Sequence, residues 1–393
     1  MDGLDFILGD IKPEEFFKAY YEQKVLHVTG SKEKLNNVLS LEELSAYLDR
    51  ADIFYPAVRL VKDGKELPKK AYIINQVPIG HEKVNGVIDT GRMMHCFNNG
   101  ATIVVQGGQH YFQGITKLGK QLSSAFGCPV QANLYITPDK SVGFNPHWDT
   151  HDVFVLQVHG TKTWHLYDFQ IKLPTKSQPY KGQEITVKKT STLRLVAGDM
   201  LYVPRGFVHD AIANDGVSAH ITIGILAFTW ERLFREAFEK LYAEEPFRKA
   251  VHLDAPDFES RLQENLEVLK ACLPELDYAA AKSSLKAVQE KRQPPGYKNY
   301  FDSLLKKNAI SDSSGIALNK ALFIHLQKDA DSITIAYAGK KIIFPKKAET
   351  AIDFILQHEA FIVSELPPPL NAPSKIILVK KLVEEGLLYC KPI

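Results

Sequence analysis

The chain has 393 residues, of which 45% are hydrophobic and 24% charged, and its 48 basic and 46 acidic side chains leave a net charge of +2. That composition excludes a disordered or fibrous chain, and the length predicts two or three domains. A near-neutral total predicts no general electrostatic grip on nucleic acid or on a membrane.

The amino end, MDGLDFILGD, has no basic flank before its short apolar stretch and does not read as a secretory signal. No apolar run approaches the roughly 20 residues that span a bilayer. The four cysteines, Cys96, Cys128, Cys272 and Cys390, are widely spaced with no CxxC pair, which fits free thiols in a reducing compartment. The expectation is a soluble, cytoplasmic protein.

The first 50 residues read as helix-rich, with Ser40 placed to cap SLEELSAYLDR. AYIINQV and ATIVVQG read as strands, the second closed by Gly107-Gly108. Ile115, Leu118, Leu122 and Phe126 then recur at helical spacing before a Gly127 stop. From QANLYITP to HITIGILAFTW short β-rich runs alternate with turn signals, among them Gly160, Gly198-Asp199 and Gly206. Strands this short and regularly punctuated predict a double-sheet barrel or jelly roll. After Trp230 three amphipathic helical stretches follow, ending at Pro294-Pro295-Gly296. The last 80 or so residues combine a hairpin-like pair, SITIAYAGKKIIFP, with helical runs and read as a small α+β module.

Within the β-rich region, NPHWDTHDVFVLQVHG (Asn145–Gly160) carries three residues that could bind a metal. On a strand, side chains two apart share a face, so His147 and Asp149 would point the same way and Trp148 the other. His151 shares their face, but its α-carbon would lie about 13 Å from that of His147, at ~3.3 Å per residue. A third ligand from another strand is easier, and His209, beyond the Gly198-Asp199 turn and the Pro204-Arg205-Gly206 bend, is the best placed. Two histidines and one carboxylate on one face form the facial triad of non-haem Fe(II) oxygenases. A bare His-x-Asp also occurs by chance, so spacing alone leaves the site open.

NNGATIVVQG, LSSAFGCPVQANLYITP, GFNPHWDTHDVFVLQVHGTKTWHLYD and LRLVAGDMLYVPRGFVHDA occur in this order, after FFKAYYEQKVLHVTG. Together they resemble the JmjC-type cupin oxygenases, specifically the ribosomal oxygenase group, over about residues 10 to 230. The resemblance implies a mixed α/β chain: a double-stranded β-helix (jelly-roll) JmjC domain over 1–230, a helical dimerisation region over 231–310, and a winged-helix-like α+β domain over 311–393. It also implies catalysis with Fe(II), 2-oxoglutarate and O2, the iron on His147, Asp149 and His209. Fifteen residues after the first ligand the family places a basic residue for the distal carboxylate of 2-oxoglutarate, and here that position is Lys162, just after the Gly160 turn on a strand expected to pair back along VFVLQV. Similar residues to Asn133 and Tyr135 line the family's cosubstrate pocket, with Thr222 a weaker match; packing roles stay open for all three. His151 reads as a pocket-wall or substrate-side residue and Asp152 as a candidate contact to a basic substrate, while Arg205 and His220 read as structural.

The implied reaction hydroxylates a protein side chain, its substrate a ribosomal protein. Competing readings are an oxygenase acting on a small molecule or natural-product peptide, a nucleic-acid- or chromatin-associated JmjC protein, and a cupin whose metal site is a relic. From Asn319 onward ten Lys face eight Asp or Glu, a net of +2, and SKIILVKKLVEEG has no Arg. Direct nucleic-acid binding is therefore not expected. Leu262, Leu266, Val268, Leu269 and Leu273 exceed what one helix face buries alone, which predicts a homodimer through residues 231–310.

Overall fold

The computed structural model describes residues 3–291, 299–320, 322, 324–337 and 340–391, leaving aside the side chain of Lys240. The Pro294-Pro295-Gly296 break lies outside these residues. Packing divides the chain into two compact units, Met1–Lys286 and Ala287–Ile393.

The first unit is built on strands β1 (Leu26–Val28), β2 (Val58–Lys62), β3 (Lys65–Glu66), β4 (Thr102–Gln106), β5 (Val130–Thr137), β6 (Asp152–His159), β7 (Thr161–Phe169), β8 (Ser191–Val196), β9 (Met200–Val203), β10 (Phe207–Ile212) and β11 (Ser218–Ile225). Eight of them form one sheet in the order β1-β9-β6-β11-β5-β4-β2-β3, and β8-β7-β10 form a second. The expected double-sheet architecture is thus present.

DVFVLQVH is almost wholly buried because β6 sits inside the large sheet with both faces covered. Phe154 and Leu156 face a helical layer, where Phe154 packs with Phe16 and Tyr202 at ring separations of 5.6 and 5.2 Å. Val153 and Val155 face the small sheet and meet Trp164, Leu195 and Phe207. The strand's period of two therefore makes one strand serve two cores.

Two local expectations hold. Ser40 and Glu43 form a capping box at the start of Leu41–Leu48. The helix Gln113–Phe126 ends on Gly127 in the left-handed region at φ 63. Its buried Ile115, Leu118 and Leu122 belong to the core beneath the large sheet. The first helical stretch beyond Trp230 is broken into Trp230–Phe238, a 3-10 turn and Glu245–Arg248, where Pro246 cannot continue a helix. Phe258–Cys272 and Tyr278–Lys291 are helical as the periodicity predicts.

Two connections differ from the sequence reading. The segment bearing His147 and Asp149 is extended but not a regular strand, and β6 begins only at Asp152. Pro146 offers no N–H, and the pairing that remains is a single bridge in which His147 and His209 exchange backbone hydrogen bonds of 2.9 and 3.1 Å. Secondly, β7 does not fold back on β6. Gly160, at φ 64, turns the chain out of the large sheet, and a side chain there would strike the carbonyl of Val217. β7 then pairs with β8 and β10 in the small sheet.

The second unit has two three-stranded sheets. One combines Gly315–Leu318, Ala360–Ile362 and Leu388–Cys390; the other His325–Lys328, Ser332–Tyr337 and Lys340–Pro345. Helices Tyr300–Lys306, Glu349–Gln357 and Ala372–Glu384 complete it. Ile316, Ile335, Ile352 and Val379 lie in its own core.

Candidate metal and cosubstrate site

A cavity of about 300 Å³ lies between the two sheets of the first unit. His147 reaches it from the loop before β6, and His209 from β10 beside it, their ring centroids 4.6 Å apart. Asp149 is fixed by its carbonyl, which accepts from Gly206 N–H at 2.9 Å. Its carboxylate Oδ2 stands 3.7 Å from His209 Nε2. One ligand atom from each of the three lies within 4.8 Å of the others.

The imidazoles are oriented by their own backbones. His147 Nδ1 is 2.8 Å from the carbonyl of Asn145, and His209 Nδ1 is 3.0 Å from that of Phe207. A carbonyl only accepts, so each Nδ1 carries the proton and each Nε2 keeps its lone pair for a metal. Burial pushes His209 down to about 4, with its neighbour His147 adding to it, so the ring stays neutral at physiological pH. Burial opposes ionisation of Asp149, yet His151, His147 and His209 together hold its carboxyl below the ordinary range. Two neutral imidazoles and one carboxylate at this spacing fit a divalent first-row metal with ligand bonds of about 2.0–2.2 Å.

Lys162 enters the same cavity from β7. It is 4% exposed and its Nζ donates to Thr137 Oγ1 at 3.0 Å, while Thr137 accepts a second hydrogen bond from Thr102 Oγ1 at 3.2 Å. No carboxylate pairs with it among the described residues, and burial pushes it down to about 7. A buried cation with only hydroxyl company is poised for an anionic ligand.

Asn133, Tyr135 and Thr222 all line the cavity. Asn133 Oδ1 accepts from Gly107 N–H at 3.2 Å, and Tyr135 is raised by burial while bonding to Thr222 and Asn133. His151 lines it too, outside the three-residue cluster.

Asp152 does not face a substrate. It is fully buried, accepting from Tyr202 Oη at 2.6 Å and from Arg205 at 2.7 Å, and Arg205 also pairs with Glu22 at 2.6 Å. Arg205 is structural, as expected. His220, read as structural, is instead a cavity wall, its ring stacked on Tyr135 at 5.0 Å. Alternation with Thr222 carried that signal. Thr137 likewise follows Asn133 and Tyr135 on one face of β5 and was missed. Arg59, on β2, lines the cavity as well, and no local pattern marks it.

Residues 109–233 match the JmjC domain family. This chain carries a JmjC domain. The domain contains every candidate ligand and Lys162. The bifunctional lysine-specific demethylase and histidyl-hydroxylase NO66 of Dictyostelium discoideum is 27% identical over 98% of this chain and 82% of that protein. Ribosomal oxygenase 2 of Mus musculus is 30% identical over 55% of this chain and 46% of that protein. The chain therefore spans less than half of the mouse relative. Among solved structures, Escherichia coli ribosomal oxygenase YcfD superposes with a TM-score of 0.55 at 15% identity, covering 97% of this chain and 98% of that one. YcfD has also been solved with cobalt and 2-oxoglutarate, and that structure matches with a TM-score of 0.52. The resemblance of the JmjC domain to ribosomal oxygenases drawn from its motifs holds.

Proposed function

We propose that the chain is an Fe(II)- and 2-oxoglutarate-dependent oxygenase that hydroxylates a protein side chain, its substrate a ribosomal protein. The observation that carries this reading is one cavity holding both a two-histidine, one-carboxylate cluster and the unpaired buried cation Lys162. His147, Asp149 and His209 would hold the iron. Bound iron with 2-oxoglutarate and O2 supplies the oxidation that turns a substrate C–H into C–OH, with succinate and CO2 as the other products.

The protein's own part is preparation. The Asn145 and Phe207 carbonyls keep the two rings in the metal-binding tautomer. Lys162 receives the distal carboxylate of the cosubstrate; the arriving negative charge offsets the burial and favours the protonated amine. Thr137 and Thr102 flank that anchor, while Asn133, Tyr135 and Thr222 wall the cosubstrate's path. Val155 and Trp164 are apolar walls that exclude water. The names of the relatives specify lysine, histidine or ribosomal targets, which favours a protein side chain over a small molecule.

Mass spectrometry of ribosomal proteins from cells with and without the gene tests this reading. One peptide should lose one oxygen in the deletion strain; identical spectra, with active purified enzyme, would favour a small-molecule substrate.

We place catalysis in residues 1–230, homodimerisation in 231–310 and a docking role in the winged-helix-like 311–393. The helix Phe258–Cys272 has no buried residue, and Trp230 and Leu253 are 75% and 74% exposed, which supports a covering partner. Sedimentation at micromolar concentration should show a dimer. The final module is not assigned to nucleic acid; tight, salt-sensitive binding in a gel shift would reverse that.

A further inference from the structure

His151 sits two residues beyond Asp149, lines the cavity and takes no part in the metal cluster. Its ring lies across β11 at Gly224. A Cβ added there would stand 3.2–3.3 Å from three atoms of the imidazole, Nε2, Cδ2 and Cε1. Gly224 is not in the left-handed region, so its backbone demands no glycine. What the missing side chain provides is space, and the imidazole fills it.

The other side of the ring is unsatisfied. His151 Nδ1 is buried with no hydrogen-bond partner among the described residues. Buried polar nitrogens are almost always paired; among the cavity-lining residues His220 Nδ1 and Trp164 Nε1 share this state, so position along the cavity has to single out His151. Asp149 and the carboxamide-bearing Gln131 line the same cavity.

Register decides which ligand it meets. Across β5 and β11 the pairs on one face run Thr137–Ser218, Tyr135–His220, Asn133–Thr222 and Gln131–Gly224, the last three rows lining the cavity. Lys162 is bonded at the first row and His151 covers the last. Three steps of two residues separate those rows, about 20 Å along the strands. A cosubstrate anchored on Lys162 occupies the first rows and leaves the Gln131–Gly224 end to the second substrate.

We propose that His151 is a substrate-binding, specificity-determining residue: its Nδ1 hydrogen-bonds the polar side chain to be oxidised, and Gly224 is the seat that holds the ring in place. This rests on the oxygenase reading above. An imidazole edge selects a side chain with its own donor or acceptor and disfavours an aliphatic one, which would leave Nδ1 unpaired.

The test uses the full-length enzyme loaded with Fe(II) and 2-oxoglutarate, with ribosomal proteins stripped from ribosomes of the source organism as probe. Succinate formation and +16 Da peptides are followed for wild type, His151→Ala, His151→Asn, Gly224→Ala and the His151→Ala/Gly224→Ala pair. His151→Ala should raise the KM for protein at least tenfold, with a smaller change in kcat, and His151→Asn should recover part of the loss. Gly224→Ala should mimic His151→Ala by displacing the ring. The double variant should be no worse than His151→Ala alone, since without the ring the seat has nothing to hold. Mn(II) affinity of each variant is measured alongside.

An unchanged protein KM in His151→Ala overturns the assignment, as does loss of Mn(II) binding, which would make His151 a metal-site residue. Additive losses in the double variant overturn the role of Gly224. A wild type that consumes 2-oxoglutarate but oxidises no ribosomal protein overturns the assignment together with the protein substrate. A wild type that consumes none sinks the oxygenase reading itself.

Discussion

Two buried basic side chains in the same unit have opposite fates. Arg205 is 6% exposed and clamped between Asp152 and Glu22, and these charges raise its pKa despite burial. Lys162 is 4% exposed, hydrogen-bonds only the Thr137 hydroxyl among the described residues and is pushed down to about 7 by burial. Burial is equal; compensation is not. The paired charge is spent on the fold, and the unpaired one is the group proposed to receive the cosubstrate. The carboxylates divide in the same way, for Asp149 faces the cavity and Asp152, three residues on, is sealed beneath it.

The largest effect should come from Asp149→Ala. Removing one of three ligands should lower 2-oxoglutarate turnover at least ~1000-fold and weaken Mn(II) binding, while thermal stability without metal stays within about 1 kcal/mol. The second half is the sharper claim, because a large loss of stability would make Asp149 another Asp152.

Arg205→Ala probes the opposite member. It strands the Asp152 carboxylate in a fully buried position, and breaking a buried pair from one side costs about 3–5 kcal/mol. Denaturant unfolding should show that loss, with the KM for 2-oxoglutarate in the remaining folded protein near wild type.

Lys162→Met should reverse the pattern, raising the KM for 2-oxoglutarate about 100-fold while stabilising the metal-free protein. The unfolded amine titrates near 10.5 and the folded one at about 7. Between those values the unfolded chain binds more protons, so this group makes stability rise with pH across that window. Below about pH 7 the buried charge costs its full amount, on the order of 3–5 kcal/mol, shared with the neighbouring His220. Melting curves at pH 6 and pH 9.5 should therefore show the Met variant ahead at pH 6 and the two proteins converging at pH 9.5. A parallel offset at both pH values would mean that Lys162 keeps its ordinary titration and stays charged in the folded protein.

These contrasts were half legible in the sequence. His147 and Asp149 stand out because a period of two is a local signal, whereas Lys162 is marked only by the resemblance to the family. The strand partner of Lys162 does not stand out, since Gly160 reads as a hairpin turn and only the register Lys162↔Leu195 shows that it crosses between sheets. Asp152 was misjudged for a similar reason: its partners Arg205 and Glu22 lie 53 residues after it and 130 before it, beyond any local pattern. His220 is a different kind of miss. Its alternation with Thr222 on β11 placed it on the cavity face, and that reading was available.

The smallest effect is expected from Tyr202→Phe, and it tests whether the sealed cluster acts as a network. Tyr202 Oη donates to Asp152 at 2.6 Å and accepts from the backbone N–H of Glu22 at 2.8 Å, in a fully buried position. Asp152 keeps Arg205 when the hydroxyl goes, so no charge is stranded, and one charge-assisted and one neutral hydrogen bond are lost. That predicts about 1–3 kcal/mol of destabilisation, below Arg205→Ala. The double variant should lose less than the sum of the two single losses, because both side chains serve the same carboxylate. Strict additivity would mean that Tyr202 and Arg205 hold Asp152 independently, and the sealed cluster would then be two separate contacts instead of one unit.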